Sequence, residues 1–101
     1  DVAVDLRRSH PTFGRWFGCE LSGENHRQLW IPAGFAHGFL VLSDSADFLY
    51  KTTTEYVPAA EACIRWDDPA IGIAWPDAGV APQVSAKDAA GLTLAAAPAF
   101  D

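Results

Sequence analysis

Trp30-Ile31-Pro32-Ala33-Gly34-Phe35-Ala36-His37-Gly38-Phe39 runs into Leu40-Val41-Leu42, and Tyr50-Lys51-Thr52-Thr53-Thr54-Glu55-Tyr56 begins thirteen residues past the histidine. A proline and glycines punctuate the chain just before the apolar run, so His37 falls where a loop enters a buried strand. From Ala36 onward, two-residue periodicity puts His37, Phe39 and Val41 on one face, with the imidazole at the end of a hydrophobic row. By the same rule Phe48, Tyr50 and Thr52 share a face of the next strand, so Tyr50 can face the same interior as His37. A polar group at the mouth of an apolar cavity is how pockets fix a ligand's orientation. Taken singly, each residue has a plainer reading: a histidine beside an apolar run is more often structural, and strand tyrosines commonly only pack. Their placement on neighbouring strands makes the pair a candidate ligand site.

Outward from this stretch, the hydrophobic pattern consists of short alternating or continuous apolar segments cut by Gly, Pro and Asx clusters, which predicts an all-β fold of sandwich or barrel type. Strands are expected over 2–6, 13–21, 27–31, 38–42, 47–53 and 63–66, with a shorter one over 71–75. In the first, Val2, Val4 and Leu6 share one face while Asp1, Ala3 and Asp5 share the other, so two carboxylates line the side away from the hydrophobic core. One helix is expected, over 85–90: Ser85 is a capping residue, Asp88 follows three positions later, and Gly91 stops the run. Beyond it, 92–101 is alanine-rich without a period and reads as a weakly ordered tail behind a single domain over 1–91.

Composition excludes several classes. With 101 residues, half of them hydrophobic, the chain suits one packed domain rather than a disordered segment. A net charge of −6 argues against a nucleic-acid partner, which requires a basic footprint. No apolar run reaches the length of a membrane span, and no basic segment leads into an apolar one at the start, so neither anchor nor leader is expected. Cys19 and Cys63 are too few and too isolated for a disulfide framework and read as two buried thiols, pointing to a reducing, cytoplasmic setting. The chain contains no methionine and opens inside an alternating strand, so it is expected to be a piece of something longer. His10, His26 and His37 lack metal-ligand spacing, and no phosphate-cradling glycine motif is present, so no metal is expected. Lys87-Asp88 at the start of the short helix is, by itself, ordinary dipole compensation. Glu61 carries no signal alone, and Asp67-Asp68-Pro69 makes a turn.

The runs Thr12-Phe13-Gly14, Glu20-Leu21-Ser22, Arg27-Gln28-Leu29-Trp30-Ile31-Pro32, Gly34-Phe35-Ala36-His37-Gly38-Phe39, Tyr50-Lys51-Thr52-Thr53, Ile64-Arg65-Trp66-Asp67-Asp68-Pro69 and Ser85-Ala86-Lys87-Asp88 closely resemble the dTDP-4-dehydrorhamnose 3,5-epimerase family, from Asp1 to about Gly91. The resemblance implies a double-stranded β-helix, a cupin-like jelly roll, here incomplete and ending in a short helix, which dimerises and uses no metal or other cofactor. It implies action on dTDP-4-dehydro-6-deoxy-D-glucose, with inversion at C3 and C5. Carried onto this sequence, Tyr50 matches the proton-donor tyrosine and Tyr56 a second active-site tyrosine, while His37 matches a substrate-binding histidine. Glu61 and Lys87 match residues that contact the nucleotide sugar, Asp88 matches the aspartate partnering the base histidine, and Asp1 aligns with a cavity carboxylate. The family's base histidine, with an arginine and a lysine that hold the substrate, lies upstream of the strand that opens this chain. The chain alone is therefore expected to be inactive, with exposed sheet edges prone to pairing. A noncatalytic sugar-nucleotide-binding module, a metal-dependent cupin and an epimerase of another nucleotide sugar are the competing readings.

Overall fold

The computed structural model describes residues 1–43, 48–52, 61–76 and 82–99. Its elements are β1 (Val2–Asp5), β2 (Trp16–Gly18), β3 (Phe35–Gly38) and α1 (Ala86–Ala89), so the regular structure is mostly strand with one short helix. The three strands form one antiparallel sheet in the order β2-β1-β3. The central strand β1 is the alternating opening of the chain, and it is buried along its whole length.

Register sorts the side chains into two faces, because directly opposed residues share a side. Val2, Val4 and Leu6 point to the core, where they cluster with Ile71 and pack against Ala36, Ile64, Ile73, Trp75 and Leu94. Ala3 pairs with both Phe17 and His37, and Asp5 pairs with Phe35, so the opposite face carries His37. The expected division of β1 into an apolar and a carboxylate face therefore holds. Only Asp1 of the two carboxylates reaches the histidine.

Asp5 instead clamps loops. Buried to 1% exposure, its carboxylate accepts from the Arg7 backbone N–H, Nε and Nη2, each at 2.9 Å, and from the Thr12 hydroxyl. The Arg7 guanidinium and these hydrogen bonds hold the Asp5 carboxyl far below the usual carboxylate range against the opposing effect of burial. Arg7 then lies over the Phe35 ring at 4.8 Å, and the Leu6 N–H donates to the Gly34 carbonyl at 2.9 Å. Gly34 has φ +91°, and a Cβ there would meet Arg7 Cγ at 2.7 Å, so the turn feeding β3 requires glycine. This network fixes where the strand bearing His37 begins.

Several expected strands are shorter or absent. The segment over 13–21 pairs only at Trp16–Gly18, and the segment expected over 38–42 is a strand earlier, at Phe35–Gly38, where β1 supplies partners. Residues 27–31, 48–52 and 71–75 are not strands. Near 27 the reason is local: Asn25 Oδ1 accepts from the Ser22 and Arg27 amides, and His26 takes φ 54°, a side-chain-built turn that replaces ladder bonding. The segment over 63–66 contributes one parallel bridge, Ile64 to Leu92. Residues 47 and 53 of the strand expected over 47–53 lie outside the described residues.

The helix forms as capping chemistry predicts, with the Ser85 hydroxyl accepting from the Asp88 N–H. None of its residues is buried, and the segment after it pairs back onto residues 63–65. Leu92 N–H donates to the Cys63 carbonyl at 2.9 Å, and Arg65 N–H donates to the Leu92 carbonyl at 2.8 Å. The buried Asp68 carboxylate accepts from the Leu94 N–H at 2.6 Å, and Ala97 is buried. Residues 92–97, expected as part of a weakly ordered tail, thus carry these contacts. No helix among the described residues is long and apolar enough to cross a membrane.

Candidate active site

The sequence-selected residues gather in two groups. The first lies on the face of the sheet away from the core. His37 Nε2 contacts the Asp1 carboxylate, and the histidine side chain is 30% exposed. Burial pushes the imidazole below its ordinary value, which favours its neutral form. An ionised carboxylate can only accept, so against one Nε2 is the donor and a neutral imidazole keeps Nδ1 as an acceptor. Beside it the rings form a continuous row: His37 stacks on Phe48 with centroids 5.5 Å apart, Phe39 stacks on Phe48 at 4.2 Å, and Phe48 meets Tyr50 at 5.7 Å. Tyr50 is 70% exposed, so its phenol remains accessible. The structure thus joins the histidine and tyrosine through rings on an exposed surface, with no strand at 48–52 and without the shared interior that alternation predicts.

The second group is assembled by the 63–65 and 91–92 pairing, which brings together residues about 25 positions apart in sequence. Lys87 Nζ is ion-paired with Glu61. The Cys63 thiol donates to Asp88 Oδ1 at 3.3 Å, and burial followed by the Asp88 carboxylate pushes the thiol up, keeping it protonated as a donor. Glu61, Cys63 and Lys87 line an open cavity of about 310 Å3 with Ala62, Ala90 and Leu92. Gly91 makes the close approach possible, because a Cβ there would sit 2.8 Å from Arg65 N and Ile64 C. A larger cavity of about 470 Å3, between Phe13–Trp16 and Ala70, Ile71 and Leu94, contains none of the predicted site residues.

Tyr56 lies outside the described residues. Cys63 and Phe48 are neighbours that the sequence did not assign to the site. The thiol had no sequence signal beyond being apolar, whereas Phe48 shares the face of Tyr50 by simple alternation. Among the described residues no three His, Cys, Asp or Glu side chains gather in a way that holds a metal ion.

The sequence profile of the dTDP-4-dehydrorhamnose 3,5-epimerase family matches residues 1–96. The chain is 60% identical over 94 residues to the dTDP-4-dehydrorhamnose 3,5-epimerase of Salmonella typhimurium, covering 93% of this chain and 51% of that protein. It is 59% identical over 100 residues to the Pseudomonas aeruginosa protein of the same name, covering 99% of this chain and 55% of that one. Among solved structures, the dTDP-6-deoxy-D-glucose-3,5-epimerase of Legionella pneumophila in complex with dTDP-4-keto-L-rhamnose matches at a TM-score of 0.92 and 51% identity, over 99% of this chain and 55% of that one. The chain spans about half the length of these relatives. With the family profile spanning nearly all of its residues and the fold superposing on a solved relative, the chain belongs to the dTDP-4-dehydrorhamnose 3,5-epimerase family.

Proposed function

We propose that this chain supplies the proton-returning and substrate-holding part of a 3,5-epimerase site acting on dTDP-4-dehydro-6-deoxy-D-glucose, within a cupin-like jelly roll that its described strands make up in part. The observation that carries the reading is the exposed ring row joining Asp1-held His37 to the accessible Tyr50 phenol. The chemistry follows from the substrate's C4 ketone, which acidifies the hydrogens on C3 and C5. A base breaks one C–H bond, and the electron pair becomes a C=C bond as the carbonyl pair moves to oxygen, giving an enolate. Return of a proton to the opposite face of the same carbon re-forms the ketone with inverted configuration. No electrons are gained or lost, so the sequence of steps needs no oxidant.

In this reading Tyr50 delivers the returning proton, with Tyr56 as the second active-site tyrosine. His37 binds the sugar through the hydrogen-bonding capacity that Asp1 fixes, and Lys87 and Glu61 contact the nucleotide sugar from the second group. Asp88 partners a base histidine contributed from the upstream half of the whole protein, where an arginine and a lysine also stabilise the enolate oxygen. The working form is a cytoplasmic homodimer.

The test joins this chain to the upstream half of the Salmonella typhimurium relative and compares Tyr50 with Tyr50→Phe. Loss of one positioned general acid predicts a fall in epimerised product of about 10²- to 10⁴-fold. Hydrogen exchange at the carbon facing the base falls far less, because abstraction does not use the phenol. Equal product formation by the two proteins rules out Tyr50 as the donor. Tight binding of the nucleotide sugar without turnover by either favours the noncatalytic binding module.

A further inference from the structure

We propose that Phe48 is a positioning residue of this site: its ring is the shared contact of the His37 imidazole, which stacks on it, and of the Tyr50 phenol, which tilts against it, and so it sets the orientation of both working rings. The inference rests on the epimerase reading above for its effect on rate, and on geometry alone for the stack. Phe48 is the shared member of all three ring contacts. His37 and Phe39 stack on it at 5.5 and 4.2 Å, with interplanar angles of 22° and 14°, and Tyr50 tilts against it at 5.7 Å and 47°. These are offset-stacked and tilted arrangements of the kind aromatic quadrupoles favour.

The constraint is complementary to the one Asp1 supplies. Contact with the carboxylate at Nε2 fixes the direction of the imidazole within its own plane, whereas a ring stacked against its face fixes the plane. Tyr50, at 70% exposure, has Phe48 as its aromatic neighbour among the described residues. A core role does not account for Phe48. It is 40% exposed, and the core cluster of Val2, Val4, Leu6 and Ile71 lies on the other face of the sheet.

The first readout uses the unaltered 101-residue chain. Nuclear Overhauser contacts are expected from the Phe48 ring protons to both the His37 imidazole and the Tyr50 ring, and absence of either overturns the stack. Phe48→Leu keeps an apolar side chain without a ring face, and Phe48→Tyr keeps the ring. The His37 Cε1–H resonance is expected to move in Phe48→Leu and to stay near its original position in Phe48→Tyr. In the protein joined to the upstream half, Phe48→Leu is expected to lower kcat about 10- to 100-fold, the scale set by slight misplacement of reacting groups. KM is expected to rise in Phe48→Leu as well, because His37 holds the sugar, and Phe48→Tyr recovers most of both. An unchanged kcat in Phe48→Leu, or an equal fall in both variants, overturns the proposal. If the unaltered joined protein turns nothing over, the epimerase reading fails, and the stack stands or falls on the Overhauser contacts and the His37 resonance.

Discussion

At the scale of single residues, the carboxylates divide by partner rather than by position on the strand. Asp1 and Asp5 share a face of β1 by parity, yet one sits against a histidine and the other is enclosed by Arg7 and Thr12. Alternation made the shared face legible. It carried no information on Arg7 folding back, because that depends on a loop closing through Gly14 and Gly34. The pH dependence follows from these partners. Asp5, Asp67 and Asp68 are all held below the ordinary carboxylate value: Asp5 and Asp67 chiefly by the side-chain hydrogen bonds of Arg7 and Arg65, Asp68 by the Leu94 and Ala70 amides. The unfolded chain binds their protons first as pH drops, so their stabilisation is complete above about pH 5 and is lost as pH falls through and below the carboxylate range. His37, lowered as well, adds the same sign from its ordinary value downward, because the fold favours its neutral form. Thermal melts from pH 8 to pH 3 are expected to show a falling midpoint on acidification. Asp5→Asn is expected to melt lower at pH 7, by a margin that narrows toward pH 3.

At the scale of elements, the turn before His37 and the Ser85 cap were readable because their signals are local, whereas the strand itself lies at Phe35–Gly38, where β1 supplies partners, rather than over 38–42. The second group was not readable. Glu61 and Lys87 looked ordinary in isolation, and their meeting depends on one parallel bridge, Ile64 to Leu92, between segments far apart in sequence. Strand expectations over 27–31 and 71–75 failed because hydrophobic alternation does not reveal whether a pairing partner exists, or whether a side chain such as Asn25 already occupies the amides. Gly91 is the test at this scale. A Cβ there meets Arg65 N and Ile64 C at 2.8 Å, both backbone atoms. Gly91→Ala is therefore expected to cost about 1–3 kcal/mol in urea unfolding, as overpacking does. Cys63 should alkylate faster in the same variant as its contact with Asp88 opens. An unchanged alkylation rate means that the pairing does not organise this group.

At the scale of the whole molecule, the sheet separates two duties. One face packs the Val2, Val4, Leu6 and Ile71 core, and the other presents His37, Phe39 and Phe17, the last two at 50% and 60% exposure. The family was legible because its motifs are dense from Thr12 to Asp88, and the profile match over residues 1–96 agrees with that reading. A complete barrel was not legible, since the chain spans about half the length of its relatives. The central claim is that this chain brings the returning acid and the substrate contacts, while the base comes from the upstream half. The measurement that tests it most directly is a proton NMR time course of dTDP-4-dehydro-6-deoxy-D-glucose in deuterated water, with this chain alone and with the chain joined to the Salmonella typhimurium upstream half. Loss of the C3 and C5 signals is expected with the joined protein, and none above the enzyme-free control with the chain alone. Exchange by the chain alone, or a folded joined protein that exchanges neither position, contradicts it.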